Sequence, residues 1–419
     1  MKIQLVNSAD IEGGAARAAM RLLDGLRAAG ADARLMVQRR FGDSPHVDGP
    51  STPAAKALGF ARPTLEEILF GISPAKVRGP FSPAFLPDGL GAKVAFFAPD
   101  IVHLHWVAIM MRLETLRRFK APVVWTLHDS WPFTGGCYLP QDCTRYRHSC
   151  GSCPVLGSSG ENDLSRRVWR RKERAWRGLD LTVVAPSRWL AECARGSALF
   201  RGARVETIPN AIDLRRYRPF DQRTAREILS LPLDRKLILF GANSAARDRN
   251  KGFHLLERAL GELAGGGLRR DQVELVVFGC SQPAQPPELG FDTRYLGRLG
   301  DDVSLALLYA AADLFVLPSI QENLPYVVME AMACATPCVA FDQGGVPDLI
   351  DHRENGYLAR PGDPADLARG IAWVLGDEAR RSGLSFGARR KVEREFAQEQ
   401  VAQRHIELYR EILHQGRER

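Results

Sequence analysis

The sequence predicts an α/β protein of two Rossmann-like domains facing across a cleft. Short apolar runs alternate with helical stretches up to Pro209, and the alternation restarts at Leu237 after a polar, proline-bearing segment. Such alternation builds parallel sheets covered by helices on both faces. With 419 residues, the chain is long enough for two or three domains, each with its own core.

In the first half the strand runs are Ile3–Val6, Ala33–Val37, Ile101–His105, Val123–His128, Leu181–Pro186 and Val205–Pro209, with a helical stretch over Ala15–Ala29. Residues 41–98 interrupt the pattern with Pro, Gly and Phe and no clear period, reading as an irregular or loosely helical insertion, and a second irregular insertion covers 129–165. Asp213–Pro232, with prolines at 209, 219 and 232 around it, reads as a linker. The second half gives strands at Leu237–Gly241, Glu274–Gly279, Tyr295–Gly297, Leu314–Leu317 and Cys338–Phe341, and a helix over Leu255–Leu263. The expected domains are therefore residues 1–212, a linker over 213–232, a second domain over 233–395 and a terminal helix over 396–419.

Composition narrows the class. Hydrophobic residues at 45% and charged residues at 25% suit a soluble globular enzyme. No apolar run reaches the ~18–20 residues of a membrane span. The opening Met1–Asn7 is a short strand pattern, too short for a signal-peptide core, so the expected location is cytoplasmic. A net charge of +8 suits anionic partners such as nucleotide diphosphates, acidic glycans or an anionic membrane surface. No zinc-finger or RNP-type signature points to nucleic acid.

Glu322 and Glu330 stand eight apart in S-I-Q-E-N-L-P-Y-V-V-M-E. The strand Leu314–Leu317 runs into Pro318, a polar loop carries Glu322, and a helix begins near Pro325 with Glu330 in its second turn. Carboxylates suit sugar hydroxyls, and the free amides of a helix start suit phosphate. Both in one place suggest a nucleotide-sugar pocket. The amides of Asn323, Leu324 and Tyr326 are available for a diphosphate, whereas Pro325 has none to give.

The E-x7-E run, the following A-M-A-C-A-T-P-C-V-A, Gly344-Gly345-Val346-Pro347-Asp348, Pro209-Asn210-Ala211-Ile212-Asp213 and Asn355-Gly356-Tyr357-Leu358 together resemble the GT-B-fold, family-4-type retaining glycosyltransferases. The insert H-D-S-W-P-F-T-G-G-C…C…C-G-S-C-P resembles bacterial exopolysaccharide (colanic-acid-type) transferases. The resemblance implies a sugar moved from a nucleoside-diphosphate donor to a glycan or lipid-linked glycan acceptor, with no cofactor required for the chemistry. It implies that Glu330 accepts from ribose hydroxyls and that Glu322 lies at the donor sugar. It also implies that Lys251 neutralises the leaving diphosphate and that His128 contacts the donor sugar. For each there is a plainer alternative: a solvated or dipole-favoured helix carboxylate, a surface lysine at a helix start, a satisfied polar cap at a strand end.

Gly13-Gly14 gives a tight strand-to-helix turn, either a plain turn or a place where backbone approaches phosphate or acceptor, with Arg17 nearby. The family's usual arginine after the strand glycine is missing: Ala242 and Asn243 stand there, leaving Arg247 or Arg249 as replacements. Asp348 stands where the family has Glu. Cys137, Cys143, Cys150 and Cys153 form C-x5-C-x6-C-x2-C, which reads either as a structural zinc site or as four small buried thiols. Arg166–Arg177 sets seven basic residues against one acid, with Trp169 and Trp176 seven apart. It reads as a basic helix on anionic lipid at the inner face of the membrane, or as a surface helix whose tryptophans enter the core. The functional rivals are a nucleotide-sugar epimerase and a non-catalytic nucleotide-sugar-binding protein.

Overall fold

The computed structural model describes residues 1–69, 79–241, 248–266 and 269–418. The chain divides into two compact units, one of residues 1–211 with 398–419 and one of residues 212–397.

The first unit carries β1 (Lys2–Ala9), α1 (Gly14–Ala28), β2 (Asp32–Arg39), β3 (Val47–Asp48), α2 (Pro53–Leu69), α3 (Leu90–Phe97), β4 (Ile101–Leu104), β5 (Val123–Thr126), α4 (Leu164–Trp176), β6 (Leu181–Ala185), α5 (Arg188–Arg195) and β7 (Arg204–Thr207). Its strands pair in parallel in the order β3-β2-β1-β4-β5-β6-β7. Both faces of the sheet are covered, so β1 is buried along all but its first residue, which is why it reads as continuous rather than alternating apolar sequence. One face packs Ile3 and Leu5 against Ala19, Leu22, Leu23 and Leu26 of α1. The other packs Val6, Val102, Leu104 and Trp125 against Val168, Trp169 and Trp176 of α4. Strand order reverses between β1 and β4, and open α/β sheets bind ligands beyond the carboxyl ends of the strands at such a point.

The second unit carries α6 (Gln222–Ile228), β8 (Lys236–Gly241), α7 (Phe253–Gly265), β9 (Val273–Phe278), β10 (Asp292–Tyr295), α8 (Asp302–Ala311), β11 (Leu314–Leu317), α9 (Tyr326–Ala333), β12 (Cys338–Phe341), α10 (Val346–Leu349), β13 (Gly356–Ala359), α11 (Pro364–Leu375) and α12 (Glu378–Glu395). The parallel order is β10-β9-β8-β11-β12-β13, with the reversal between β8 and β11. The stretch read as a linker holds α6, and there Arg226 Nη2 meets Asp313 Oδ2 at 2.7 Å with both side chains buried. Asp313 also accepts from Leu237 N at 2.7 Å, so the acid ties α6 to the start of β8. The last helix, α13 (Gln398–Glu418), belongs to the first unit, where Val401, Ile406 and Tyr409 join the α1 face of the core.

Two expectations needed correction. The strand placed at Tyr295–Gly297 lies earlier, at Asp292–Tyr295, and Gly356–Ala359 is a strand that the alternation missed. Its glycine and tyrosine look like loop chemistry, but Gly356 has no room for a side chain: a Cβ there would stand 2.5 Å from Cys338 O of β12.

Candidate active site

In the second unit the reversal point lies between the ends of β8 and β11, and Lys251 and Glu322 meet in the segments that follow these strands. Lys251 Nζ is 2.8 Å from Glu322 Oε1. Burial opposes the ammonium charge, but Glu322 outweighs it and the Lys251 pKa is raised. The loop that presents Glu322 is held from two sides. Asn250 accepts from Ile320 N at 2.8 Å and donates from Nδ2 to Gln321 O at 3.0 Å. From the other side Gly345 N donates to Glu322 O at 3.0 Å. Gly344, at φ +63°, comes so close that a Cβ would lie 2.1 Å from Glu322 O. The G-G-V-P-D motif therefore acts on Glu322 through its backbone, a role that no spacing argument supplied.

Helix α9 has Pro325 as its N-cap and eight residues, with Glu330 the fifth. Glu330 is 1% exposed and accepts from Tyr309 Oη at 3.3 Å. Burial, with Glu330 alongside, holds the Tyr309 pKa well above its ordinary value, so the phenol remains a donor. Leu324 is buried at the start of this helix and Asn323 half-buried beside it. Asp348 sits in α10, half-buried. Arg249 is exposed in the turn before Lys251. Arg247, Ala242 and Asn243 lie outside the described residues.

The first unit, taken by itself, holds a group of its own at the carboxyl ends of β1, β4 and β5. Gly13 caps α1 at φ +89°, so the predicted turn is present, and α1 begins at Gly14. His128 is half-buried, two residues past β5, with Nε2 2.9 Å from His105 Nδ1. Burial pushes its pKa down to about 3, so the imidazole is neutral. His105, just past the end of β4, is thus its direct neighbour, and its place at the end of the predicted strand Ile101–His105 was the sequence signal for it. Asp129 follows His128 and accepts from Trp106 Nε1 at 2.6 Å and Trp131 N at 2.8 Å. Burial raises its pKa to about 7 against those hydrogen bonds.

Two stretches that the sequence left with paired readings are the four cysteines and the basic helix α4. Among the described residues, no group of three or more His, Cys, Asp or Glu side chains is placed to hold a metal ion. Cys137, Cys150 and Cys153 are buried thiols and Cys143 is half-buried. Burial raises the pKa of Cys150 to about 12 and that of Cys153 in the same sense. The basic stretch does not offer its tryptophans to lipid. Trp169 and Trp176 are 6% and 7% exposed, and Trp176 Nε1 donates to Leu113 O at 2.9 Å. Lys172, fully buried, donates to Thr134 O at 3.1 Å and to Trp131 O. Among the described residues no helix is long and apolar enough to cross a membrane.

Residues 12–216 match the family described as Glycosyltransferase Family 4, and residues 235–377 match Glycosyl transferases group 1. A D-inositol 3-phosphate glycosyltransferase of Thermobispora bispora is 30% identical over 337 residues, covering 75% of this chain and 71% of that protein. The chain belongs to the group 1/family 4 glycosyltransferases. Against some curated relatives the match spans about half of their length, against others nearly three quarters. The glycosyltransferase has the fold of sucrose-phosphate synthase from Thermosynechococcus elongatus, with a TM-score of 0.69 at 22% identity over 98% of both chains. HepE of Anabaena, solved with UDP-glucose, gives 0.61 at 20% identity over 97% of this chain and 99% of its own. Both neighbours share the GT-B fold expected from the motifs, and membership of the glycosyltransferase family makes the protein a transferase enzyme.

Proposed function

We propose that this enzyme moves a sugar, with retention of configuration, from a nucleoside-diphosphate donor to a glycan or lipid-linked glycan acceptor in bacterial surface-polysaccharide synthesis. The observation that carries the reading is the Lys251–Glu322 pair at the reversal point of the second sheet, beside the start of α9. In this reading Lys251 meets the diphosphate, where negative charge grows as the glycosidic bond breaks, and a fixed cation acts mainly on that transition state. The amides of Asn323 and Leu324 hold the same anion, with Arg249 or Arg247 taking the place of the missing arginine. Glu322 holds donor hydroxyls or stabilises positive charge developing at the anomeric carbon. Glu330 takes the ribose hydroxyls, and Tyr309 keeps its carboxylate oriented. His128, neutral and half-buried, contacts the donor sugar from the first unit, and the Gly13-Gly14 turn brings backbone to phosphate or acceptor. Among the described residues of the first unit no carboxylate is placed as an evident nucleophile, and the proposed mechanism is a same-face reaction in which the departing phosphate assists the acceptor hydroxyl. The cytoplasm, with peripheral contact at the inner face of the membrane, is the proposed location.

A second reading follows from the names of the relatives. Several are D-inositol 3-phosphate glycosyltransferases, which favours a phosphorylated polyol acceptor. The resemblance of the His128–Cys153 insert to exopolysaccharide enzymes favours the glycan.

Calorimetric titration with UDP-, GDP- and ADP-sugars tests the donor assignment. One nucleotide sugar should bind the wild type, and Glu330→Ala should weaken it at least tenfold, because the ribose hydroxyls lose their acceptor. Wild-type affinity in the variant would remove Glu330 from the site. Product analysis with inositol 3-phosphate and with a lipid-linked saccharide then separates the two acceptor readings. Donor turnover without either would favour an epimerase.

A further inference from the structure

Behind His128 lies a file of imidazoles that donor binding does not use. His105 stacks on His128 with centroids 5.2 Å apart, His103 stacks on His105 at 4.6 Å, and His405 of α13 packs on His103 at 5.4 Å. His103 is satisfied at both nitrogens, by Tyr409 Oη at 2.6 Å and Thr126 Oγ1 at 2.7 Å. The other two are not. Among the described residues, Nε2 of His105 and Nε2 of His405 are buried without a partner, and each residue is 3% exposed. Both rings line one space of about 10 Å³, whose other walls include the apolar Leu22, Ile208 and Val401 as well as Thr126 and Asn210. That is near the ~10–15 Å³ one water occupies, and the two bare ring nitrogens are polar partners of the kind such a water requires.

The bonding roles follow from chemistry. His405 Nδ1 is 2.9 Å from Val401 O, one turn back along α13, and a carbonyl only accepts. Nδ1 therefore carries the proton. Burial holds the His405 pKa down to about 4, so the ring is neutral and Nε2 is a bare acceptor. His105 uses Nδ1 on His128, which leaves its Nε2 for whatever fills the same space. Its backbone is fixed by Trp125 Nε1 donating to His105 O at 3.0 Å.

We propose that one buried water bridges Nε2 of His105 and Nε2 of His405. Through it the C-terminal helix fixes the orientation of His105, which is a positioning residue for His128. The water donates one hydrogen to His405 and bonds His105 with its remaining capacity, as donor or acceptor, so the His105 ring is held in place from α13 in either tautomer. This rests on the reading of His128 as a donor-sugar contact, but the water and the tautomers are tested without substrate.

A crystal structure of the full chain should show a density peak about 2.7–3.2 Å from both nitrogens. An empty space, or a peak ~2 Å from both as for a metal on imidazole, overturns the proposal. Histidine-selective nitrogen NMR of the full chain should show His405 as the Nδ1–H tautomer with an acceptor-type Nε2. In His405→Leu the His128 resonances should change, and in His405→Gln, which keeps an acceptor near Nε2, they should return towards wild type. Identical His128 spectra in all three proteins would refute the coupling. With the nucleotide sugar selected by calorimetry, His405→Leu should lower kcat roughly tenfold with little change in KM, as slight misplacement of a contact group does. His405→Gln should recover most of it. If the wild type turns over no nucleotide sugar, the proposed function fails while the crystallographic and NMR results still decide the water.

Discussion

Lowering the pH from 7 to 5 should destabilise the first unit through His405, by an amount the structure permits us to work out. His405 is enclosed by α13 and the sheet, and burial holds its pKa at about 4 against an ordinary value of 6.5. A histidine whose folded pKa is depressed contributes its stability above the unfolded pKa and loses it as pH falls towards the folded one. At pH 5 the unfolded chain has taken up nearly one proton that the folded ring still refuses. Over the ~1.5 pH units below 6.5, at ~1.4 kcal/mol per unit, the loss is about 2 kcal/mol. That is a large share of the ~5–15 kcal/mol typical of a domain. His103, held well below its ordinary pKa by burial and by its neighbours His405 and His128, acts in the same sense. Urea unfolding followed by tryptophan fluorescence is the assay, because six of the seven tryptophans precede residue 212 and report on this unit. Carboxylates also titrate in this range, so the decisive quantity is a difference of differences. His405→Gln should lose about 2 kcal/mol less than wild type between pH 7 and 5, whatever its stability at pH 7. Equal losses in the two proteins would refute the reasoning.

Lys251→Ala should lower turnover of the preferred donor roughly 10²–10³-fold while weakening donor affinity much less, read by steady-state kinetics at saturating donor. Unchanged turnover would mean that helix amides alone hold the diphosphate. Gly344→Ala should cost more than ~1 kcal/mol in stability and impair turnover as well, because the new Cβ meets Glu322 O and the backbone sits at φ +63°. A variant with wild-type melting and kinetics would show that the loop does not depend on this contact.

Much of the fold was legible because burial on both faces of a parallel sheet demands continuous apolar runs, and Ile101–Leu104, Leu314–Leu317 and Cys338–Phe341 announce themselves in that way. Local chemistry also marked the start of α1 after Gly13, the start of α9 after Pro325, and the carboxylates of Glu322 and Glu330. Those signals are carried by neighbours in the chain, so sequence alone determined them. Partnerships between distant segments were not encoded locally. Nothing around Gly344 says that its backbone passes within contact of Glu322, and nothing around Lys251 says that Asn250 beside it grips Gln321. The cysteine spacing suits a metal, yet the packing of Cys137, Cys150 and Cys153 makes them buried thiols. Trp169 and Trp176 are equally consistent with lipid or core until the sheet they cover is in place. His405 is some 300 residues from His103 in sequence, and only the return of α13 to the first unit brings the two rings together. Sequence fixes which residues want burial and which backbone positions tolerate a turn; the buried partner of each polar group is decided when the layers close, because only then is water removed from it.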